Sequence, residues 1–353
     1  MFSKIIKDRR VSRGLKLREL ASITKIDQTL LSRFEHGDRL PTEDQLIELM
    51  SALKLDFKRT RVEWMASKVL KVVGYDEVSV EALQLAESRV EYLVQKRSKA
   101  QTVPKDLKEK LEILDKLKAK WDARPPLGVS QLKRMQEYFD VDYTYESNRI
   151  EGNTLSLQET ALVVNEGLTI GGKSMREHLE AINHQEAIAF VRELVVSKED
   201  ISKRVVLDLH RLVLKEVDSA NAGVYRSIPV RITGSDTVLP QPYLIDQLMH
   251  DYFEFYMIQT SRMHPVLLAA EMHERLVSIH PFIDGNGRTA RLVMNLILLK
   301  NGFTRANIKG STESRMAYYQ ALQSVQRDAN PIPFYHIVAD EAIRSIEAHL
   351  ELI

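Results

Sequence analysis

His280, Asp284, Asn286, Arg288 and Arg291 fall within one short run, His280-Pro-Phe-Ile-Asp284-Gly-Asn286-Gly-Arg288-Thr-Ala-Arg291. Their side chains suit one kind of chemistry. An imidazole titrates in the range needed to take a proton from a hydroxyl. A carboxylate amid so much positive potential makes sense if it holds a hard cation, and Mg²⁺ carrying nucleotide phosphates fits. Gly285 and Gly287 let a phosphate approach the backbone closely, and Asn286 adds a neutral donor. Arg288 and Arg291 are three apart, hence on one helical face and near the same anion. Together these residues read as a triphosphate site with an adjacent base and no covalent nucleophile. A Ser, Thr or Tyr hydroxyl would attack a phosphorus made electrophilic by Mg²⁺ and backbone N–H groups.

The elements that position this run are also legible. LLAAEMHERLVSI before it and TARLVMNLILL after it read as helices, with Pro281 and two glycines breaking the chain between them. The free N–H groups at the start of the second helix form an anion site. Nearly all of the chain reads as helix, with apolar residues at three and four spacing in Leu46/Leu49/Met50/Leu53, Leu107/Leu111/Leu114 and Leu292/Leu296/Leu299. The fold class expected is all-α. Period-two alternation is almost absent, and the one place for a short β-hairpin is Ile228–Thr233 within YRSIPVRITGSDTVLP. His264 and His273 show no metal-ligand spacing and read as packing residues.

Upstream, SNRIEGN (Ser147 to Asn153) closes a helix running from about 130 to 151, with Gly152 suited to the helix C-terminus. Glu151 there meets the negative end of the helix dipole and needs a cation, for which Arg291 is the natural partner. Paired in this way, Arg291 would be withdrawn from the anion site.

Residues 17–41, LKLRELASITKIDQTLLSRFEHGDRLP, read as a short helix, a turn and a second helix capped by Asp27. Leu30, Leu31 and Phe34 give the second helix an apolar face, leaving Gln28, Thr29, Ser32 and Arg33 outward. In a helix-turn-helix these are the positions that meet base edges in the major groove. Lys4, Lys7, Arg9, Arg10 and Arg13 lie beside it.

Bulk properties bound the function. Lys+Arg 50 against Asp+Glu 49 gives a net charge of +1, so nucleic-acid binding must come from a local patch. There is no cysteine, which excludes disulfides and thiolate chemistry. MFSKIIKDRR lacks a signal-peptide core and no run is long enough to span a bilayer, so a cytoplasmic, membrane-free protein is expected. The 353 residues suit several domains. The boundaries expected are 1–57 for the helix-turn-helix, 58–124 for a helical linker and 125–353 for the catalytic domain, with ARPPLG marking the last junction.

The catalytic run resembles the Fic motif, HxFx(D/E)GNGRxxR, at every defining position, and the similarity extends over roughly residues 120–340. Ser147, Glu151 and Gly152 match the inhibitory motif (S/T)xxxE(G/N) found in Fic proteins with an N-terminal inhibitory helix. The resemblance implies a Fic-fold helical domain with a β-hairpin flap. It implies His280 as general base and Asp284 as Mg²⁺ ligand. Asn286 and the amides of Gly285 and Gly287 would hold the α-phosphate region of ATP, with Arg288 and Arg291 on the β/γ phosphates. Ile232, Thr233, Gly234 and Leu239 would form the flap that aligns a target by backbone pairing. The activity implied is protein adenylylation, AMP moving from ATP to a hydroxyl of an unknown protein target or of the chain itself, autoinhibited by Glu151. Some animal relatives remove AMP, so a deAMPylase or dual enzyme is the alternative. The head resembles the XRE/Cro-like helix-turn-helix family through ELA…Q…LSRFE.G.R.P, which implies DNA as a partner and a transcriptional regulator with a nucleotide-sensing module as a further alternative. Where that family has Gly at the turn this chain has Lys25, a departure that costs roughly 1 kcal/mol if positive φ is required. Both halves are compatible with a homodimer.

Overall fold

The computed structural model describes residues 2–74, 77–84, 86–87, 103–232, 234 and 237–353. Among these residues every regular element is a helix. No helix of the described residues is long and apolar enough to cross a membrane. The chain divides into two compact units, Met1–Arg97 and Ser98–Ile353.

The first unit holds α1 (Phe2–Ser12), α2 (Leu17–Thr24), α3 (Gln28–His36), α4 (Glu43–Leu53) and α5 (Phe57–Val73) around Phe2, Ile6, Leu20, Leu31, Phe34, Leu49 and Trp64. Asp27 caps α3 by accepting from Thr29 N (2.9 Å) and Leu30 N (3.2 Å). Lys25 does take the left-handed conformation at φ 56°, so a lysine bears the strain that glycine would avoid. Three of the neighbouring basic residues are engaged within the fold. Arg10 forms a two-pronged pair with Glu35 (2.6 and 2.8 Å). Arg9 donates to Leu53 O (3.1 Å) and Arg13 to Ala52 O, answering the unpaired carbonyls and negative dipole end of α4. Trp64 of α5 is buried and donates to Pro41 O (3.0 Å), so this compact unit continues past residue 57.

The second unit opens with α6 (Lys105–Asp122), which lies against the last helix, α15 (Ile332–Leu350), and buries Leu107, Leu111 and Leu114. The stretch expected to be a linker therefore contributes a core helix. Then come α7 (Val129–Ile150), α8 (Leu157–Glu166), α9 (Met175–Ser197), α10 (Lys203–Leu214), α11 (Ile245–Gln259), α12 (Pro265–Ile279), α13 (Asn286–Lys300) and α14 (Thr312–Asp328). Ser156 with Glu159 and Ser174 with Glu177 form reciprocal capping boxes that fix the starts of α8 and α9. Helix α13 is buried on all sides from Arg288 to Leu298, as a central helix is. It packs on α12, α9 and α10, with α7 over its first turns.

The expected β-hairpin is absent among the described residues: 228–232, Gly234 and 237–239 run without strand pairing, and Thr233 lies outside those residues. Ile228 is exposed while Val230 and Ile232 are half-buried, and a lone two-stranded hairpin is marginal in water.

Candidate active site

Helix α12 ends at His280, which is itself left-handed (φ 52°, ψ 58°), an uncommon conformation for a residue with a Cβ. The turn swings the imidazole off the helix axis. Its Nδ1 lies 3.2 Å from Val277 O. A carbonyl only accepts, so Nδ1 carries the proton and Nε2 presents a lone pair. Burial holds the imidazole below its ordinary pKa and Arg226 adds to this, while Val277 O, Glu151 and Asp284 oppose it.

The loop from 280 to 285 is braced from within and from outside. Asn286 accepts from Phe282 N (3.0 Å) and donates to Phe282 O (2.9 Å), so both ends of its amide close the loop. Its contribution to an anion is thereby left to its main-chain N–H at the start of α13. Phe282 is buried and stacks on His210 with ring centroids 3.6 Å apart. His210 accepts from Gly223 N (2.8 Å) through Nδ1 and donates to Asp284 O (2.9 Å) through Nε2. Those bonds select one neutral tautomer, and burial pushes this imidazole down to about 4.

Asp284 points partly to solvent. Gly285 N donates to its Oδ1 (2.6 Å), Arg176 Nη2 lies 2.8 Å from Oδ2 and Arg288 Nη2 3.4 Å from Oδ1. Burial works against the carboxylate, but Arg288, the Gly285 amide and Arg176 outweigh it and hold Asp284 below the usual carboxylate range. Arg288 is 2% exposed, and its Nη1 lies 3.4 Å from Glu180 Oε1. Its Nε and Nη1 have no hydrogen-bond partner, nor has Nη1 of Arg291. Buried N–H groups without partners are rare and costly, and a ligand's oxygens would satisfy them. Among the described residues no group of three or more His, Asp or Glu could hold a metal. A cation at Asp284 would thus take its other ligands from phosphate and water, as Mg²⁺ does. The donor set fits a magnesium polyphosphate.

Arg288 and Arg291 share the first turns of α13, yet different carboxylates engage them. Arg291, 1% exposed, donates through Nε to Ser147 Oγ (3.0 Å) and through Nη2 to Ser147 O (2.9 Å) and Glu151 Oε1 (2.7 Å). Burial disfavours its charge, but Glu151, Tyr318 and Tyr143 more than offset this and raise its pKa. Glu151 is the residue at which α7 ends, and Gly152 follows at φ 97°. Tyr319 donates to Ile150 O (3.0 Å), holding that helix end. A Cβ on Gly287 would collide with Glu151 Oε1, so the glycine makes room for the carboxylate against the loop.

Of the residues expected to form a flap, Leu239 is buried, Ile232 half-buried and Gly234 exposed in the left-handed region (φ 77°). In the first unit Gln28, Thr29 and Arg33 are exposed on α3, while Ser32 is half-buried and its carbonyl is bound by His36 Nδ1 at 2.7 Å. Sequence reading missed His210, Arg226, Arg176 and Glu180, which hold or flank the loop from other elements. Arg226 alone carried a signal, a cation in the otherwise apolar run Val224-Tyr-Arg226 beside Gly223.

Residues 200–298 match the model of the Fic/DOC family, and residues 6–58 match a helix-turn-helix model. Protein adenylyltransferase Fic of Nematostella vectensis is 35% identical over 257 residues, covering 72% of this chain and 59% of that protein. The protein of the same name from Aedes aegypti is 33% identical over 293 residues, covering 82% of this chain and 57% of its own length. The chain thus spans somewhat over half the length of these relatives. Among solved structures, Fic-1 (aa134–508) from C. elegans aligns over 99% of this chain and 98% of its own, at 28% identity and a TM-score of 0.63. A Fic domain containing signaling protein from Bacteroides thetaiotaomicron has the same TM-score, 0.63, at 28% identity, over 68% of this chain and 97% of its own. The loop from His280 to Arg291 lies inside the matched region, so the chain contains a Fic/DOC region at 200–298 with a helix-turn-helix region ahead of it at 6–58.

Proposed function

We propose that this chain is a protein adenylyltransferase that moves AMP from ATP to a Ser, Thr or Tyr hydroxyl and is held inactive by Glu151. One observation carries the reading: the unpartnered guanidinium N–H groups of Arg288 and Arg291 share a loop and helix start with a neutral imidazole whose Nε2 is free to accept a proton. The Nε2 of His280 takes the proton of the attacking hydroxyl. The new bond joins that oxygen to the α-phosphorus, the bond from the α-phosphorus to the bridging oxygen breaks, and pyrophosphate leaves. Arg288 and the amides at the start of α13 bind the phosphate oxygens and orient the chain of phosphates. Asp284 is the residue to hold Mg²⁺, which when bound offsets phosphate charge.

Glu151 occupies Arg291, the second cation this arrangement requires. A charge-assisted hydrogen bond is worth about 1.5–3 kcal/mol, so Glu151→Gly should raise self-labelling from labelled ATP and Mg²⁺ about 10- to 100-fold. Adding His280→Ala to that variant should abolish transfer while ATP still binds. Equal labelling of parent and Glu151→Gly would remove the brake, and transfer without His280 would remove the base. AMP released from a modified target in the absence of ATP would assign Glu151 to the reverse, hydrolytic direction. The exposed Gln28, Thr29 and Arg33 on α3 support a second property, DNA binding by the head, compatible with the first.

A further inference from the structure

Arg226 is 3% exposed, and all its side-chain hydrogen bonds among the described residues go to main-chain carbonyls. Nε donates to His280 O (2.8 Å), Nη1 to Ile228 O (3.1 Å) and Nη2 to Pro240 O (2.6 Å). Its own main-chain N–H donates to Pro281 O (2.9 Å). A buried guanidinium with no carboxylate beside it among the described residues is expensive, and burial lowers its pKa. Three carbonyls offset that cost: one is that of His280, and the other two are those of Ile228 and Pro240.

His280 is left-handed, which turns its carbonyl away from the hydrogen-bond ladder of α12, and a cation there also meets the negative end of that helix. Ile228 and Pro240 bracket Ile232, Gly234 and Leu239, described residues that lie in no helix or strand. The rest of the loop, from Phe282 to Asn286, is braced by other groups: Asn286 on Phe282 and His210 on Asp284. One side chain therefore joins Ile228 and Pro240 to the backbone of the imidazole, without touching the phosphate cradle.

We propose that Arg226 is a positioning residue: by holding the main chain at Ile228 and Pro240 against that of His280, it sets the distance between a hydroxyl bound beside Ile228 and Pro240 and Nε2 of His280. This rests on the adenylyl-transfer reading above. A misplacement of about 1 Å costs on the order of 100-fold in rate. Loss of the guanidinium should then lower the rate of transfer at saturating ATP and leave the ATP concentration for half-saturation in place. A merely structural arginine would lower stability, ATP affinity and rate together.

The experiment uses the full chain carrying Glu151→Gly, alone and with Arg226→Met or Arg226→Lys. Self-transfer is followed over a range of ATP concentrations, ATP binding by calorimetry, and backbone hydrogen exchange in peptides covering 227–241. Arg226→Met should lose about 30- to 100-fold in saturated rate with ATP affinity within about twofold. Its exchange at the ends of the segment should quicken about tenfold. Arg226→Lys, with three N–H donors, should recover a large part of both. An unchanged rate, or a rate loss matched by an equal loss of ATP affinity, overturns the proposal. If Arg226→Met does not fold, the same split in Arg226→Lys, smaller in size, decides. If the Glu151→Gly parent transfers nothing, the enzymatic reading fails, and the exchange arm still judges the clamp: exchange unchanged by the substitution overturns it.

Discussion

His280 illustrates how much of this site is decided around a single ring. Its Nδ1–H is committed to Val277 O, and burial together with Arg226 keeps the ring neutral, so a base is available near neutral pH. The sign follows directly. A depressed pKa means that the neutral, proton-accepting form persists to lower pH than for an ordinary histidine, whose value is about 6.5. Glu151 is one of the groups that raise it, so its removal lowers the value further. Self-transfer by Glu151→Gly should therefore be flat through neutral pH and fall only below about 6.5. A rate that instead falls tenfold per unit below pH 7.5 would show that His280 is not the neutral base described here.

The proposed brake belongs to an element rather than to Glu151 alone. Helix α7 presents Asp140, Asp142 and Glu146 to the segment that follows α13. Asp140 pairs with Arg305 (2.6 Å) and with Arg192. Asp142 accepts from Asn307 (2.7 Å) and Lys309 (3.0 Å), and Glu146 accepts from Gly310 N (2.7 Å). Helix α7 is thus seated by the segment beyond the end of α13, while its own last turn grips Arg291 near the start of α13. Weakening the seat should loosen the plug. Lys309 is half-buried, and a partly exposed pair contributes about 0.5–1 kcal/mol, so Lys309→Ala should raise basal self-labelling about two- to fivefold. The same substitution on top of Glu151→Gly should add nothing, because the plug is already gone. Additive effects would mean that Lys309 acts on something other than the brake.

At the scale of the whole molecule, a near-neutral chain carries two units with separate cores. In the head Glu35 answers Arg10, and main-chain carbonyls hold Arg9 and Arg13, while Lys4 and Lys7 are exposed. Specific contact would depend on α3, where Arg33 is exposed. A bidentate arginine–guanine contact is worth about 1–3 kcal/mol of discrimination. Arg33→Ala should weaken binding of the chain to its own promoter fragment by about 5- to 100-fold and leave self-transfer of Glu151→Gly as it was. Gel shifts of equal strength for both proteins would place base reading elsewhere.

What could be read along the chain was whatever depends on neighbours in sequence. The loop from His280 to Arg291, the cap at Asp27, the helix end at Glu151 and the all-helical class follow from spacing, since residues a few positions apart meet in any helix or turn. The Glu151–Arg291 pairing was also legible, because a carboxylate at a helix C-terminus requires a cation. Three things needed the tertiary structure. Alternation at 228–233 suggested a hairpin, but a strand needs a partner strand as well as alternation, and the described residues 228–232 have none. Residues 105–122 looked like a linker until α15 was seen against them. His210 and Arg226 reach the catalytic loop from residues more than fifty positions away, and no local period marks them. Partners for buried polar groups are chosen when helices pack, and only the packed molecule reveals which ones they are.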